Sequence, residues 1–432
     1  MDFETLKKVE NLNNEKFPVF PKEKIEETVK SYFGIKDKYL NLYSLYKKPL
    51  YVFEKEILKN RANEFRAAFK KFFNDTGFFF AVKCNNHPLV LRTLVENGYG
   101  ADVSSGLELK TALEEGAADI VFSGPGKTEE EIRSAFENSD RVTILADSFS
   151  EIEKIDAVSK LSDKKIKVGI RLTTNPHALW RKFGIMPEKL PEFWEIIKRK
   201  RNIQFCGMQF HTSWNLNPDA QIDFIKKLGS ILKDMPEDFR TSVNFLDIGG
   251  GYWPSQGEWL RHSSTPVGGL EQLIESECEK TKKLYYCKSS MPISFFAEQI
   301  SNAVNEHIFP HLRCKICFEP GRWICNDAVQ LLMSVVDKKS EDIAITDAAT
   351  SAVGWERFEY DYFPVLNLSK PDLTEKQCNI LGCLCTPHDV WGYSYWGNEI
   401  SEGDVLMIPM QGAYTYSLRQ NFIKPLPEFI SI

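Results

Sequence analysis

One lysine of this sequence stands where its amine can act as a nucleophile. Lys83 follows the apolar run 78–82 and precedes Cys84 and Asn85. An ammonium at the end of a buried apolar run loses hydration, which lowers its pKa and frees the amine for Schiff-base chemistry. An ordinary lysine whose ammonium reaches solvent from a strand end is the alternative. Lys83 is therefore a candidate nucleophile toward carbonyl compounds.

A second motif has the composition of an anion site. The apolar segment 243–248 runs directly into three glycines at 249–251. Successive glycines allow backbone N–H groups to converge on an anion, although a plain glycine turn has the same composition. Further along the chain, Glu319 and Arg322 belong to the sequence Glu-Pro-Gly-Arg. Their carboxylate and guanidinium suit a ligand, and a structural ion pair is the alternative.

These residues need elements that bring distant segments together. From residue 78 onward, short β-branched or aromatic runs alternate with amphipathic segments, which is typical of repeated βα units around a parallel sheet. The predicted strands are 78–83, 100–104, 120–124, 141–147, 167–172, 205–211, 243–249 and 315–319. Eight such units close a (β/α)8 barrel, although a doubly wound open sheet gives the same alternation.

The polar residues at the ends of the predicted strands favour the barrel. They are Lys83, Asp102, Ser123, Asp147, Arg171, His211, Asp247 and Glu319. Barrel enzymes build their active sites from the carboxyl ends of several strands, and the loops after the last two strands commonly bind phosphate. A barrel would therefore gather the candidate nucleophile and the candidate anion site on one face.

Other regions do not fit the βα repeat. Residues 252–291 are rich in Trp, Ser, Gly and charge, and we interpret them as an insertion over the mouth of the barrel. After Arg322, short strands separated by Gly and Pro turns predict a mainly β domain. We therefore divide the chain into a segment 1–50 that joins the β domain, a barrel 51–322 and the β domain 323–432.

Composition and charge argue against several classes of protein. The 54 basic and 60 acidic side chains of the 432 residues give a formal charge of −6, which does not favour a nucleic-acid partner. No apolar run approaches the roughly 18–20 residues of a membrane helix. The 10 cysteines are scattered along the chain, and we interpret them as reduced thiols of a cytoplasmic protein without a metal site.

Six motifs, taken in order, resemble the ornithine and diaminopimelate decarboxylase family. They are the segments 81–85, 102–109, 247–251 and 319–322, the pair Cys385 and Asp389, and the segment 412–414. This family is the fold type III group of pyridoxal-phosphate enzymes, and the resemblance covers nearly the whole chain from about residue 49. It implies a barrel followed by a β domain that the N-terminal segment completes, and a homodimer with shared active sites.

The resemblance also implies roles for individual residues around pyridoxal 5'-phosphate. Lys83 would hold the cofactor as a Schiff base, Glu319 would pair with the pyridine nitrogen, and His211 would stack on the ring. The residues implied near the phosphate or the edge of the cofactor are Asp102, Arg171, Ser213, Gly249, Gly250, Gly251, Gly321, Arg322 and Tyr414. Cys385 and Asp389 would reach in from a second subunit.

The reaction that the resemblance implies is α-decarboxylation of an amino acid. Loss of the α-carboxylate leaves electrons that delocalise into the cofactor as a quinonoid, and Cys385 would then protonate Cα. An amino-acid racemase on the same barrel and a non-catalytic regulatory homologue are the alternatives. A metal-dependent barrel hydrolase that uses Asp102, His211 and Glu319 is a further alternative.

Two departures from the family pattern concern the phosphate and the substrate. The family usually has His-x-Gly-Ser after the sixth strand, but this chain has His211-Thr212-Ser213-Trp214. Either Ser213 or Thr212 can take over the phosphate contact. After Cys385, ornithine decarboxylases carry Asp and diaminopimelate decarboxylases carry Glu, whereas Thr386 supplies no charge for a distal ammonium.

The missing acidic residue bears on the choice of substrate. Asp361 matches another acidic position near the substrate tail, and Arg357 suits a distal carboxylate. We therefore expect a diamino acid or a related substituted amino acid, in the range of diaminopimelate, ornithine, lysine and polyamine or siderophore precursors. Our hypothesis within that range is that simple L-ornithine is not the substrate.

Overall fold

A computed structural model describes residues 18–161, 164–175, 177–269, 285–354 and 361–432 of the chain. The strands, numbered in chain order, are β1 Leu50–Phe53, β2 Thr76–Ala81, β3 Gly100–Val103, β4 Ile120–Phe122, β5 Val142–Ala146, β6 Ile166–Leu172, β7 Ile203–Phe210, β8 Phe245–Asp247, β9 Glu258–Arg261, β10 Tyr285–Lys288, β11 Lys315–Phe318, β12 Val329–Ser340, β13 Ile343–Thr346, β14 Leu366–Asn367, β15 Glu375–Leu381, β16 Val390–Trp396, β17 Val405–Ile408 and β18 Glu428–Ser431.

The α-helices alternate with the barrel strands and also precede them. They are α1 Lys22–Gly34, α2 Lys36–Tyr46, α3 Lys55–Lys70, α4 Pro88–Glu96, α5 Gly106–Glu114, α6 Glu129–Glu137, α7 Phe149–Ser159, α8 Leu190–Ile197, α9 Asp219–Leu232, α10 Glu237–Ser242, α11 Ile293–His307 and α12 Arg322–Cys325. No helix in the described ranges is both long enough and apolar enough to cross a bilayer.

Eight parallel strands close a barrel in the order β11-β2-β3-β4-β5-β6-β7-β8. Each of the eight strands predicted from the sequence coincides with one of them, so the prediction of a (β/α)8 barrel is confirmed. Strands such as β5 are buried at every position, which explains why they are continuous apolar runs in the sequence. All eight carboxyl ends therefore lie on one face.

Local sequence fixes where the barrel helices begin. The side chains of Ser105, Thr128 and Ser148 cap α5, α6 and α7, each accepting the N–H three residues further on. Thr128 and Glu131 complete a reciprocal capping box at α6. Each cap ends a loop that follows a strand, so the caps define the loops on the carboxyl face.

A second sheet of eight strands has the order β13-β15-β16-β14-β17-β12-β1-β18. β1 lies between β12, to which it is antiparallel, and β18, to which it is parallel. The N-terminal part of the chain thus completes the β domain, as predicted. Its buried core combines early aromatic residues such as Phe20 and Tyr39 with Trp396 and Met407.

The contacts divide the chain into two compact units. One, the sheet unit, comprises residues 1–54, 256–289 and 326–432, and the other, the barrel unit, comprises 55–255 and 290–325. Of the predicted insertion 252–291, the described residues 256–269 and 285–289 group with the sheet unit. The reason is aromatic packing, because Trp259 and Tyr285 both stack on Tyr362, with ring centroids 6.4 and 3.6 Å away. Residues 270–284 of this insertion lie outside the described ranges.

Candidate active site

Lys83 lies on the 3-10 turn Val82–Cys84, directly after β2. Its Nζ donates a hydrogen bond of 2.7 Å to Oδ2 of Asp102, a fully buried carboxylate at the end of β3. The hydroxyl of Ser123, which follows β4, donates to the other oxygen of Asp102. Burial raises the pKa of Asp102, but Lys83, Ser123 and Arg171 together outweigh it and hold that pKa below its usual value. The amine is thus held by a carboxylate that stays ionised.

The carboxylate of Glu319 lies directly after β11 and is 1% exposed. The amide Nε2 of Gln209 donates to both of its oxygens, at 3.3 and 3.2 Å. Gln209 is on β7 and is itself buried. Sequence analysis did not identify it, although it stands near the end of β7, two residues before His211, and alternate positions of an extended segment face the same side.

His211 presents an imidazole beside this carboxylate. Its Nδ1 lies 3.7 Å from Oε2 of Glu319 and accepts a hydrogen bond of 3.1 Å from the N–H of Gly250. Burial lowers the pKa of His211, and the positive charges of Lys83 and Arg171 lower it further against the opposing effect of Glu319. The ring is therefore neutral at pH 7, with Nδ1 as an acceptor.

The glycines after β8 form a turn that admits no side chain. An ideal Cβ on Gly249, Gly250 or Gly251 would lie 2.4, 2.3 or 2.2 Å from a backbone carbonyl oxygen. Gly249 and Gly251 also have φ values of 72° and 81°, a conformation that favours glycine. The N–H of Glu319 donates to Gly249 at 2.9 Å, which ties this turn to the end of β11. Within the described ranges the Gly251 N–H has no hydrogen-bond acceptor and remains available to an anion.

Asp247 lies beneath this turn and is fully buried. Its Oδ1 accepts a hydrogen bond of 2.8 Å from the N–H of Gly249, while Oδ2 has no partner among the described residues. Burial and the negative charge of Glu319 raise the pKa of Asp247 well above its usual value. This carboxyl is therefore protonated over a range of pH in which an exposed aspartate is ionised.

Hydrogen bonds hold the loop after His211, where the sequence departs from the family pattern. The hydroxyl of Thr212 accepts a hydrogen bond of 2.8 Å from the amide of Asn215, and the same amide donates to the carbonyl of Gly250 at 3.2 Å. The hydroxyl of Ser213 is half-buried and has no hydrogen-bond partner among the described residues. The Thr212 hydroxyl therefore helps to hold the loop, whereas the Ser213 hydroxyl does not.

Two guanidinium groups also lie at the carboxyl ends of barrel strands. Arg171, on β6, donates to the carbonyl of Ser123 at 2.6 Å, and its Nε lies 3.9 Å from Asp147. Arg322 begins α12, and its guanidinium lies 4.4 Å from the ring centroid of Trp253.

Gly321 allows the loop before Arg322 to pack closely. An ideal Cβ at this position would lie 2.9 Å from Cβ of Cys84, the residue after Lys83. The glycine therefore lets the turn that carries Arg322 approach the turn that carries Lys83.

In the sheet unit, the loop 382–389 presents an exposed thiol at Cys385. The buried carboxylate of Asp389 organises this loop. One of its oxygens accepts the N–H and the hydroxyl of Thr350, both at 2.8 Å, and the other accepts the N–H of Leu384 at 2.8 Å. Both oxygens of Asp389 therefore support this loop within its own unit, and its contact with a substrate stays a prediction.

The other predicted residues of the sheet unit have varied surroundings. Thr386 accepts the N–H of His388 at 3.3 Å. Asp361 is half-buried, and its carbonyl oxygen accepts a hydrogen bond of 3.2 Å from Arg261. Tyr414 is half-buried and has a φ of 57°. Arg357 lies outside the described residues.

The barrel unit thus brings together most of the residues predicted to hold a cofactor. They are Lys83, Asp102, Arg171, His211, Ser213, Gly249, Gly250, Gly251, Glu319, Gly321 and Arg322. In the described ranges, no three His, Cys, Asp or Glu side chains form a group that could hold a metal ion. An amine, a pair of buried carboxylates and a glycine turn on one face suit an aldehyde that carries an aromatic ring and an anionic tail.

Comparison with known proteins agrees with this chemistry. A family model described as the pyridoxal-binding domain of pyridoxal-dependent decarboxylases matches residues 58–326. Diaminopimelate decarboxylase of Aquifex aeolicus is 24% identical over 394 residues, which cover 87% of this chain and 84% of that protein. A Staphylococcus aureus protein, 2-[(L-alanin-3-ylcarbamoyl)methyl]-2-hydroxybutanedioate decarboxylase, is 26% identical over 379 residues, 82% of this chain and 86% of that protein.

Solved structures show the same fold. Diaminopimelate decarboxylase of Helicobacter pylori, complexed with L-lysine, has a TM-score of 0.74 and 23% sequence identity. The match covers 91% of this chain and 94% of that one.

Proposed function

Since this chain belongs to the family of pyridoxal-dependent decarboxylases and is a pyridoxal-phosphate-dependent amino-acid decarboxylase, we propose that it acts on a diamino acid or a related substituted amino acid and not on simple L-ornithine. The family and its relatives do not favour a racemase. The observation that carries the proposal is the Lys83 amine, held 2.7 Å from Asp102 at the carboxyl end of the barrel that also carries Glu319.

The residues of the barrel unit fit the cofactor. The turn at 249–251 has no room for a Cβ and offers the Gly251 N–H, which suits a phosphate. The Thr212 hydroxyl is engaged by Asn215, whereas the Ser213 hydroxyl has no hydrogen-bond partner in the described part of the chain, so we assign the phosphate contact to Ser213. When bound, pyridoxal 5'-phosphate supplies the electron sink that takes up the electron pair of the departing carboxylate.

Each remaining side chain has a role that its chemistry supports. Lys83 provides the amine that binds the cofactor aldehyde, and Asp102 holds that amine in position. Glu319 provides a buried anion for the protonated pyridine nitrogen, and the neutral ring of His211 can pack against the face of the cofactor. Arg322 contributes positive charge for the cofactor phosphate, and Arg171 contributes it at the edge of the cofactor.

We also propose a homodimer in which Cys385 completes the active site of a second copy. The thiol is exposed on the loop 382–389, which Asp389 supports, and it can donate a proton to a substrate carbon.

The nine cysteines of the described ranges are free thiols. This supports a proposed cytoplasmic location, where thiols stay reduced.

The substrate proposal is based on charge. Thr386 offers no anion to a distal ammonium, whereas Asp361 offers one in the same unit. The names of the two relatives indicate substrates whose side chains carry further polar or anionic groups. The uncharged Thr386 and the names of these relatives therefore favour a substituted tail over a plain diamine tail.

Release of carbon dioxide tests the choice of substrate. The holoenzyme is assayed with L-ornithine, L-lysine, L-arginine, meso-diaminopimelate, carboxylated polyamine precursors and amide-linked diaminopropionate. We expect the highest kcat/KM for a compound with a substituted tail. Efficient turnover of L-ornithine alone would contradict the proposal.

A further inference from the structure

Two tryptophans of the barrel unit meet next to Arg322. Trp214 occupies the position after Ser213, where the family pattern has a serine, and Trp253 follows the glycine turn at 249–251. Their rings are stacked, with centroids 6.3 Å apart and an interplanar angle of 28°. The guanidinium of Arg322 lies 4.4 Å from the Trp253 ring, within the range of a cation–π contact. Stacked indoles therefore join two loops that follow different strands, and one of the two rings contacts the guanidinium.

The backbone at Trp214 is strained. Its φ of 54° places a bulky residue in the left-handed region, which is a genuine outlier. The next residue imposes this conformation: the N–H of Asn215 donates to Gly251 at 3.0 Å, and its carbonyl accepts the N–H of Trp253 at 3.1 Å. Such strain persists only where the surrounding contacts fix it, and it concentrates at functional sites.

Exposure differs sharply between the two indoles. Trp253 is 7% exposed, so the ring that Arg322 contacts is largely shielded from water. A cation–π contact is stronger when it is desolvated. Trp214 is 62% exposed and stacks on Trp253 from the loop that Asn215 ties to the glycine turn.

We propose that Trp214 and Trp253 form an aromatic bracket that fixes the guanidinium of Arg322 beside the glycine turn and thereby sets the affinity for the cofactor phosphate. The proposal rests on the phosphate-binding role proposed above for Arg322. The Glu319 N–H bonded to Gly249 at 2.9 Å connects the loop that carries Arg322 to that turn. A guanidinium that is already fixed loses less conformational freedom when it binds the phosphate.

The test compares two ligands that differ only in the phosphate. The cofactor is removed, and equilibrium dialysis measures the dissociation constants of pyridoxal 5'-phosphate and of pyridoxal. For Trp253→Leu we expect binding of the phosphorylated ligand to weaken about tenfold, as for loss of a desolvated cation–π contact, while pyridoxal binding stays the same. Trp253→Phe keeps an aromatic face, so we expect it to retain most of the affinity for pyridoxal 5'-phosphate.

A second variant and a reference variant distinguish loss of the proposed contact from misfolding. Trp214→Ala removes an exposed ring, so the chain should fold normally and show a smaller loss, about twofold to threefold, again only for the phosphorylated ligand. Arg322→Met shows the full contribution of the guanidinium to phosphate binding.

Three results would overturn the bracket. Equal weakening of both ligands by Trp253→Leu and Trp214→Ala would show a packing role alone. A selective loss for Arg322→Met without any for the tryptophan variants would overturn the bracket and leave the role of Arg322 intact. If Arg322→Met caused no selective loss, Arg322 would have no role in phosphate binding, and the aromatic bracket would be overturned as well.

Discussion

The Glu319 carboxylate is held by a neutral side chain. Gln209 donates to both of its oxygens and leaves room on them, since a carboxylate accepts about four hydrogen bonds. An amide donor is neutral, so it forms no ion pair that would compete with a protonated ring nitrogen. Gln209 therefore supports the group that would control the charge of the cofactor ring.

Replacement of Gln209 tests this support. Gln209→Leu keeps the bulk but removes both donors, and we expect kcat/KM to fall by about tenfold to a hundredfold, as for loss of hydrogen bonds to a buried charge. The absorption spectrum of the bound cofactor should change as well. Gln221→Leu is the matched control, because Gln221 is equally buried but does not bond to Glu319. Equal effects of the two variants would contradict this role of Gln209.

Asp247 leads to a prediction about pH. Its pKa is raised in the folded chain, so the folded state binds more protons than the unfolded state above the unfolded value of about 3.9. This contribution to stability is full below that value and is lost as the pH rises through the folded pKa. Asp247→Asn keeps an acceptor for the Gly249 N–H but cannot ionise.

The expected result for Asp247→Asn is a melting temperature that rises relative to the wild type as the pH increases from 5 to 8, on the order of a few degrees for a contribution of one to two kcal/mol. Scanning calorimetry of the chain without cofactor measures it. Asp140→Asn, at an exposed position, serves as the control. A constant difference between variant and wild type across that range would show that Asp247 does not titrate in this way.

At the residue scale, the sequence predicts the charged residues of the site better than the residues that hold its loops in place. Lys83, Asp102 and Glu319 were predicted because each stands at a strand end. Asn215 and Asp389 act through bonds to backbone groups of loops whose conformation the sequence does not reveal. The strained backbone of Trp214 likewise depends on Asn215 bonding to a turn that lies far away in the sequence.

Among the elements, the glycine turn after β8 is the one that leaves no space for a side chain. Gly250→Ala would place a methyl group 2.3 Å from the carbonyl oxygen of Glu319, so the turn or the end of β11 must move. We expect cofactor affinity to fall by at least about tenfold, because the anion donors and Glu319 shift together. Fluorescence titration of the chain without cofactor measures the affinity.

Gly34→Ala is the matched control for this change. An ideal Cβ on Gly34 meets no atom within 4 Å, so the same added methyl group should leave cofactor affinity unchanged. Unchanged affinity in Gly250→Ala would show that the turn does not form part of the cofactor site.

The elements show where sequence patterns succeed and where they fail. The barrel strands are predictable because they are short and mostly buried, as in β5, and because several of them precede a helix with a side-chain cap, as α6 has. We interpreted the segment that contains β9 and β10 as an insertion over the barrel because its composition breaks the βα repeat. It packs on Tyr362, which is distant in the sequence. No local sequence pattern predicts an aromatic contact of this kind.

At the scale of the whole molecule, the proposed dimer predicts that two inactive variants can complement each other. Lys83→Ala lacks the amine, and Cys385→Ala lacks the thiol that we assign to the site of a second copy. If subunits mix at random, half of the dimers are mixed and each has one intact site, so activity should return to about a quarter of the wild-type value.

Denaturation and joint refolding of the two variants provides the measurement, and each variant refolded alone provides the control. Sedimentation velocity establishes that dimers are present. No recovery of activity in a mixture that does contain mixed dimers would contradict a shared active site.

The central claim is that the Lys83 amine binds the cofactor aldehyde. Borohydride reduction of the holoenzyme, followed by peptide mass spectrometry, tests it most directly. The account predicts a pyridoxyl group on Lys83 and no turnover in Lys83→Ala. A pyridoxyl group on a different lysine, or full turnover in Lys83→Ala, would contradict it.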